Sequence, residues 1–469
     1  MAETLEPFPH DFPARFDVAI IGGGVVGCAM ARRFTLEGAK VILVEKGADI
    51  LTGASKGNSA ILHTGFDEPP GSIELECVLA GYSEYLEIRN HFNLPLLRTD
   101  GLVVAWDEEQ RTKMPGILEH AQGNGIEGVR RVDGAELRRR EPYLAKDALE
   151  AVLIPGEHVI DPWSAPLAYL RQAIAMGAQV AFRSPLEGAS FDGETWSLET
   201  PRGRVRAGTV INCAGLYGDI VEGFCRESPF RIKPRKGQFL VFDKPAHRLA
   251  NAIILPVPTE RSKGVLVIRT VFGNLLVGPT AEDQDDRDKA DVTEEVLRQL
   301  RRQGERMIPS LAGESVSATY AGLRPATEHR DFQISSIPER RWISVGGIRS
   351  TGLTACLGIA RYVHDIYRQH GNRHQRPEPV WTPVPNLAEH RPRDYLNPGY
   401  EEIICHCELV TLREIEQALD GPLPAGDIGG LKRRTRAMMG RCQGFYCGGR
   451  VAALTDQRLQ RPLAVGKVP

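Results

Sequence analysis

Four cysteines near the end of the chain have the residue type and spacing to hold a metal centre. They are Cys405 and Cys407 in ICHCELVT, and Cys442 and Cys447 in GRCQGFYCGG. Four thiolates brought to one point need a soft cation to neutralise them, and the usual solutions are zinc or an iron–sulfur cluster. Structural zinc sites mostly use C-x-x-C pairs, and neither half of this pattern has that spacing. The pattern predicts a metal centre, and zinc is the less typical occupant.

A second motif near the start of the chain is typical of dinucleotide binding. DVAIIGGGVVGCAMARRFTLEGAKVILVEKG predicts a strand, a glycine-rich turn, a helix and a second strand. Gly22, Gly24 and Gly27 satisfy G-x-G-x-x-G, in which the glycines allow a tight turn, close approach to a pyrophosphate and close helix–strand packing. The helix N-terminus attracts the phosphates. Glu45, at the end of the second strand, is placed to bind ribose hydroxyls.

Residues 403–450 resemble the bacterioferritin-associated ferredoxin-like domain. The resemblance includes the C-x-C pair, the following ELVTLREIEQAL and the LKRRTRAMMGRCQGFYCGG tail. It implies a [2Fe–2S] cluster held by Cys405, Cys407, Cys442 and Cys447. His406 is expected at the surface, where it tunes the cluster without binding it.

Residues 15–370 resemble the D-amino-acid oxidase superfamily of FAD enzymes. The similarity rests on GASKGNSAILHTGFDEPPGS, VINCAGLYGD, YAGLRPAT and GGIRSTGLTACLGIA. It is strongest to the branch of FAD-dependent glycerol-3-phosphate and L-2-hydroxyglutarate dehydrogenases. With the cluster domain added, the arrangement is similar to that of the large subunits of anaerobic glycerol-3-phosphate dehydrogenases. The resemblance implies FAD contacts from Gly22, Gly24, Val25, Val26, Gly27, Glu45, Lys46, Ser55, Asn58, Ser59, Leu186, Ala214, Gly215, Gly352, Leu353 and Thr354.

Two further residues are candidates for catalysis. His63 lies in the loop that passes the flavin ring in the resembled family, and histidine suits proton abstraction near neutral pH. Arg324, in GLRPAT, stands where the resembled dehydrogenases bind an anionic substrate, and a guanidinium grips carboxylate or phosphate with two prongs. Arg349 stands where relatives more often carry an acidic residue, so the resemblance does not fix the identity of the substrate. Lys236 and Lys263 are expected to be solvated surface residues.

The predicted fold class is α/β. A Rossmann-like FAD-binding domain is expected to carry an α+β substrate domain, mainly antiparallel, and a small helical [2Fe–2S] domain. A stretch rich in proline forbids helix and predicts an extended linker. The expected boundaries are 15–75, 150–226 and 332–370 for the FAD-binding domain, 76–149 and 227–331 for the substrate domain, 371–400 for the linker, and 401–469 for the cluster domain.

Composition excludes some classes of function. The 469 residues include 58 basic and 60 acidic side chains, for a net charge of −2, which argues against nucleic-acid binding. No apolar run approaches the ~18 residues of a membrane span, and the first residues do not resemble a signal peptide. Cysteines scattered outside the cluster motif fit a reducing compartment. We expect a cytoplasmic enzyme, associated with a membrane at most peripherally, through partners.

The expected activity is oxidation of a secondary alcohol on a small anionic substrate, with sn-glycerol 3-phosphate as the first guess. Electrons then pass through the [2Fe–2S] cluster to one or more protein subunits. An L-2-hydroxy acid dehydrogenase, an amino-acid or opine dehydrogenase subunit, and a non-catalytic electron-transfer subunit remain alternatives. Basic residues beside the cluster motif are expected either to dock an acidic partner or merely to solvate a helix: Lys432, Arg433, Arg434, Arg436 and Arg441.

Overall fold

The computed structural model describes residues 11–258, 264–459 and 461–463. Within these ranges the chain forms 22 β-strands and 11 α-helices. The strands are β1 Asp11–Ile21, β2 Val41–Val44, β3 Ile61–Leu62, β4 Leu96–Leu97, β5 Gly101–Ala105, β6 Arg130–Asp133, β7 Glu150–Ile154, β8 His158–Ile160, β9 Gln179–Ala181, β10 Gly188–Phe191, β11 Trp196–Thr200, β12 Gly203–Asn212, β13 Lys233–Phe242, β14 Ile253–Pro256, β15 Leu266–Arg269, β16 Leu275–Gly278, β17 Glu282–Asp283, β18 Val316–Ala326, β19 Gln333–Ile337, β20 Trp342–Gly346, β21 Ile403–Cys405 and β22 Val410–Thr411. The helices are α1 Val25–Leu36, α2 Ile73–Ile88, α3 Glu108–Gly123, α4 Gly134–Arg140, α5 Ser164–Ala175, α6 Gly218–Glu222, α7 Glu294–Met307, α8 Gly352–Gln369, α9 Leu412–Asp420, α10 Ile428–Thr435 and α11 Gly448–Thr455.

The first sheet is the predicted Rossmann-like layer. Its eight strands include a parallel set in which β1 lies between β2 and β12, with β9 beyond β2 and β20 beside β12. The central strands are buried on both faces, as expected for parallel sheets. Helices α1, α2, α5 and α8 pack on this layer through one apolar core. The carboxyl ends of β1, β2 and β12 therefore open together, where α/β sheets bind ligands.

The second sheet is the mainly antiparallel substrate layer. Its nine strands run in the order β17, β13, β16, β15, β14, β5, β7, β6, with β18 paired to β13. Within it, only the β14–β5 pair is parallel among the described strands. The long β13–β18 pairing places Arg235 opposite Arg324, so β18 carries its arginine to the boundary between the two sheets. The predicted fold class is confirmed.

Two elements pack in a different domain from the one that the sequence predicted for them. Strand β7 was expected to begin the FAD-binding segment 150–226, but it pairs with β5 and β6 in the second sheet. Helix α2 falls mostly within 76–149, yet it packs on α8 in the first core. Glycines permit that approach: a Cβ on Gly81 would lie 2.1 Å from the Thr354 carbonyl oxygen, and one on Gly358 would lie 2.1 Å from that of Cys77. We propose boundaries after residue 88 and after residue 154.

The proline-rich segment 371–400 wraps along the surface without regular helix or strand, apart from a short 3₁₀ turn at Asp394–Leu396. Packing and hydrogen bonds hold the segment against the rest of the chain along its length. Trp381 stacks on His91 with ring centroids 4.3 Å apart, the Val384 N–H donates to the Phe92 carbonyl at 3.0 Å, and Leu387 is buried. The segment is extended, as predicted, but it packs on the rest of the chain.

The cluster domain is helical apart from the short β21–β22 pair. Helix α9 begins with a capping box, in which the Thr411 side chain and Glu414 satisfy each other's backbone N–H groups. Two of the basic residues in and directly after α10 are buried, although a solvated or docking face was expected. Arg434 and Arg436 are 8% and 4% exposed, because Arg434 pairs with Asp49 of the first domain and Arg436 pairs with Glu408. This prediction was wrong for both residues.

Candidate active site and cluster site

The G-x-G-x-x-G turn opens onto a cavity of about 1240 Å³. Gly22 adopts a left-handed φ of 107°, and a Cβ there would lie 2.6 Å from the Cys213 carbonyl oxygen. A Cβ on Gly27 would lie 1.9 Å from the Gly22 carbonyl oxygen, so close helix–strand packing requires glycine. Helix α1 begins after Gly24, which has no side chain to cover the first turn, so the positive end of the helix dipole faces the cavity. The turn fits a pyrophosphate.

Glu45 closes the turn from the second strand. Its carboxylate accepts the Gly23 N–H at 2.5 Å and the Gly47 N–H at 2.7 Å. The side chain is 6% exposed, and burial raises the pKa of this carboxyl although both N–H groups lower it. The two hydrogen bonds fix the carboxylate at the cavity wall, where its remaining lone pairs can accept ribose hydroxyls.

Most of the predicted FAD contacts lie in the wall of this one cavity. Ser55 accepts the Val25 N–H at 3.0 Å, so its hydroxyl stands at the start of α1. Gly27 and Thr354 do not line the cavity. Thr354 is 1% exposed, and its hydroxyl accepts the His63 N–H at 2.9 Å, so this residue positions the histidine loop. The predicted residues in the wall are Gly22, Gly24, Val25, Val26, Glu45, Lys46, Ser55, Asn58, Ser59, Leu186, Ala214, Gly215, Gly352 and Leu353.

His63 faces the same cavity and is paired with a carboxylate that the sequence did not reveal. Its Nδ1 lies 3.1 Å from Glu157 Oε2, and Glu157 is fully buried. The other oxygen of Glu157 accepts the Thr64 N–H at 2.6 Å and the Thr64 hydroxyl at 2.8 Å. An acceptor at Nδ1 fixes the tautomer in which Nε2 carries the lone pair. Glu157 is 94 positions away from His63, so no local pattern indicated it.

Arg324 lines the cavity from strand β18. Both terminal nitrogens donate to the Thr280 carbonyl at 3.3 Å, and no carboxylate lies within 4 Å of them in the described ranges. Burial, helped by the nearby charge of Arg235, lowers the pKa of this guanidinium to about 10. Arg235 is neutralised by Asp283 at 2.7 Å. A half-buried guanidinium that has a carbonyl partner and no carboxylate partner in the described ranges favours the binding of an anion.

The remaining candidate cations differ in their surroundings. Arg349 lines the cavity and lies 3.7 Å from Glu74, which is 1% exposed. Lys236 is mostly buried and lies 3.4 Å from Glu282, so the expectation of a solvated lysine was wrong. Lys263 lies outside the described residues.

The four motif cysteines come together in the cluster domain. Side-chain contacts join Cys405 to Cys447 and Cys407 to Cys442. The backbone N–H of Tyr446 is the main cause that lowers the pKa of Cys442, with further N–H donors at Gly444 and Phe445. Such donors stabilise thiolate and cluster sulfur alike. His406 is exposed, as expected.

The sulfur arrangement fits a binuclear centre. No group of three or more His, Cys, Asp or Glu side chains among the described residues is placed to hold a metal ion. A single zinc would require all four sulfurs at about 2.3 Å, whereas two irons can each take one pair of cysteines. The structure brings the four cysteines near one another, and four cysteines are the ligand set of a [2Fe–2S] cluster.

The chain belongs to the FAD dependent oxidoreductase family (DAO), whose sequence profile matches residues 17–366. Residues 403–457 match the BFD-like [2Fe-2S] binding domain. The protein is therefore an FAD-dependent oxidoreductase with a [2Fe–2S] cluster, and the predictions of family, enzyme class and cofactors are confirmed. The cavity and the four cysteines fit these two groups.

Individual relatives show which members of the family this chain is similar to. The chain is 31% identical over 453 residues to a glycerol 3-phosphate dehydrogenase from Caloramator mitchellensis, covering 95% of this chain and 94% of the relative. It is 27% identical to one subunit of the anaerobic glycerol-3-phosphate dehydrogenase of Escherichia coli K12, covering 94% and 88%. Among solved structures, FAD-bound L-alpha-glycerophosphate oxidase from Mycoplasma pneumoniae matches with a TM-score of 0.73 and 27% identity, covering 80% of this chain and all of that one.

A search of the described helices for membrane spans found none that is long and apolar enough to cross a bilayer.

Proposed function

We propose that this protein oxidises the secondary alcohol of sn-glycerol 3-phosphate and passes the electrons through its [2Fe–2S] cluster to a partner protein. The observation that carries the proposal is Arg324, a half-buried guanidinium without a carboxylate partner in the described ranges, in the same cavity as His63. Both the dehydrogenase relatives and the oxidase of known structure are named for glycerol phosphate, and the substrate is a small anion of the kind that Arg324 can bind.

Arg324 binds the substrate phosphate in this proposal. Its two terminal nitrogens share the Thr280 carbonyl at 3.3 Å, which leaves the Nε–H and the outer N–H of each terminal nitrogen to donate to the oxygens of an anion. A charge-assisted contact of this kind contributes about 1.5–3 kcal/mol. Binding also restores a counter-charge to a cation that burial penalises. The phosphate end is thereby fixed, and the alcohol carbon is left to be oriented by the rest of the cavity.

His63 accepts the alcohol proton at Nε2. The Glu157 carboxylate, held by Thr64, orients the ring through Nδ1 and stabilises the imidazolium that forms. The hydrogen bond from the His63 N–H to Thr354 places the same loop on the start of α8. The residue pair therefore supplies both the base and its orientation, and an aligned base of this type accelerates proton transfer by ~10²–10⁴-fold.

The two cofactors divide the redox work, since FAD accepts a hydride and the [2Fe–2S] cluster carries one electron at a time. The residues of the first cavity would hold FAD, and the four motif cysteines would hold the cluster. The five cysteines outside the cluster motif form no disulfide, which supports a reducing compartment and a cytoplasmic location. Membrane association, if the assembly has one, is supplied by the partner in this proposal.

A dye-linked assay tests the substrate. Reconstituted protein is offered sn-glycerol 3-phosphate, its mirror isomer, L-2-hydroxyglutarate and proline under anaerobic conditions. We expect kcat/KM to be highest for sn-glycerol 3-phosphate. Faster turnover of the hydroxy acid or the amino acid would overturn the phosphate assignment while leaving the enzyme class intact.

A further inference from the structure

Two aromatic side chains beside the cluster cysteines are almost fully exposed. Phe445 is 83% exposed and Tyr446 is 77% exposed, the highest values among the large hydrophobic side chains of the described ranges. Their rings meet edge to face with centroids 5.2 Å apart. Aromatic residues are enriched in protein interfaces, and contiguous apolar patches mark interaction sites. These two side chains contribute little to burial within the chain itself.

The loop needs its backbone to hold the cluster, but it does not need aromatic side chains. The N–H groups of Tyr446, Gly444 and Phe445 are directed at Cys442. Gly444 adopts a left-handed φ of 88°, which sets the direction of the backbone in this loop. Serine at 445 or 446 would donate the same N–H groups. The structure of the loop therefore does not explain why both positions are aromatic.

The sequence around the aromatic pair is basic, although one of its arginines, Arg450, lies 2.8 Å from Glu402. The segment GRCQGFYCGGR, residues 440–450, contains two arginines and no acidic residue. The Arg441 side chain is 73% exposed and lies 3.8 Å from Asp243, a separation and exposure at which an ion pair is weak. Arg441 thus remains available to a carboxylate on another protein.

The same loop covers the more open side of the cysteine set. Cys405 and Cys447 are 1% and 2% exposed, whereas Cys407 and Cys442 are only half-buried. Phe445 and Tyr446 follow Cys442 closely in the chain, and their backbone N–H groups contact it, so the exposed aromatic pair lies on the same loop as the more exposed Cys442. The path from cluster to solvent is shortest on this side.

We propose that Arg441, Phe445 and Tyr446 form a docking face for the electron-accepting protein. That partner presents an apolar patch rimmed by carboxylates around its own redox group. A bound cluster would supply one electron at a time, so each transfer would oxidise the cluster by one electron and reduce the acceptor by one electron, with no bond made or broken. The inference rests on the electron path in the proposed function and adds the surface through which the electron leaves.

The test uses the full-length protein with both cofactors. A photo-crosslinking amino acid, p-benzoylphenylalanine, replaces Phe445 in the native host, and in a matched protein it replaces Tyr143, which is 39% exposed and far along the chain. We expect position 445 to give one major adduct, identified by mass spectrometry as an acidic redox protein. Adducts with a second copy of this chain, adducts with lipid, or the same yield from position 143 would overturn the proposal.

The captured protein is then purified and its reduction rate is measured. The Phe445→Ser/Tyr446→Ser double variant is expected to reduce it about 30-fold more slowly at limiting concentration, as for the loss of interface anchors worth about 2 kcal/mol. Reduction of a small dye should not change, and Tyr143→Ser should match the wild type. Equal rates would contradict the docking face. Dithionite in place of substrate keeps this test independent of the glycerol 3-phosphate assignment.

Discussion

The Arg434 guanidinium lies 2.7 Å from each carboxylate oxygen of Asp49, and the two side chains are 6% and 0% exposed. Asp49 also accepts the Gly426 N–H at 3.0 Å, and Arg433 donates to the Ile50 carbonyl at 3.0 Å. These contacts join α10 of the cluster domain to the loop that follows Glu45. The cluster domain is therefore fastened beside the FAD cavity, and the proline-rich segment does not hold it apart.

Asp49→Asn is expected to loosen this attachment. Removing one charge from a buried pair costs about 3–5 kcal/mol, because the other charge stays buried without compensation. Hydrogen exchange should lose protection over residues 426–434, while iron content stays unchanged because the cysteines are intact. Arg111→Ala breaks an exposed pair with Glu108 and serves as the control. Unchanged protection in Asp49→Asn would show that the domain docks by other contacts.

Cysteine substitution separates the two cofactors. Cys442→Ser should abolish the cluster and leave FAD bound, since Arg461 is the one cavity-wall residue contributed by described residues beyond 400. The wild type should carry FAD with two irons and two acid-labile sulfides per chain, as a [2Fe-2S] domain requires. Cys225→Ser, at a half-buried cysteine outside the motif, is the matched control. One zinc per chain without sulfide would refute the cluster ligands.

Glu157→Gln tests the orientation of His63. The amide keeps the size of the side chain but presents either an N–H or a neutral oxygen to Nδ1, so the productive tautomer is no longer held. We expect kcat to fall by ~10²–10⁴-fold, with little change in FAD content. The deuterium isotope effect on the alcohol carbon should rise or stay high. A variant with wild-type kcat would assign Glu157 to the fold alone.

Arg324→Ala tests the anion contact. Loss of a charge-assisted hydrogen bond to the substrate costs on the order of 2–4 kcal/mol, or ~30- to 1000-fold in kcat/KM. Arg324→Lys should recover part of the loss, because lysine keeps the charge but not the two-pronged geometry. FAD content and the thermal unfolding midpoint serve as checks on folding. Kinetics equal to the wild type in the alanine variant would make Arg324 structural.

Local patterns predicted the parts of the site that lie close together in sequence. The turn from Gly22 to Glu45 and the cysteine pairs each carry their spacing within a short stretch, so the sequence alone could name these residues as candidates. Glu157 was missed because its partner is distant in sequence and a single glutamate has no signature. The sequence holds one weak signal for this residue. Glu157 follows Gly156 between two short apolar runs, a pattern typical of a tight turn, and this turn leaves the Glu157 side chain inside the fold.

The charge of a side chain did not predict whether that side chain is buried or exposed. Arg434 and Arg436 occur in a basic run that is typical of a solvated helix, yet carboxylates from other segments neutralise both. Helix α2 was placed with the wrong layer for a related reason. Its close contact with α8 depends on Gly81, which lies against the Thr354 carbonyl, and on Gly358, which lies against the Cys77 carbonyl. Only the folded chain brings these two helices together.

The central claim is that one chain takes electrons from sn-glycerol 3-phosphate into FAD and on to the [2Fe–2S] cluster. Anaerobic mixing of the purified holoprotein with sn-glycerol 3-phosphate, followed by visible spectroscopy and by electron paramagnetic resonance of frozen samples, tests it directly. We expect loss of flavin absorption first and then the signal of a reduced [2Fe–2S] cluster, with the second step absent in Cys442→Ser. Flavin that stays oxidised with this substrate, or a cluster that stays oxidised while flavin is reduced, would contradict the account.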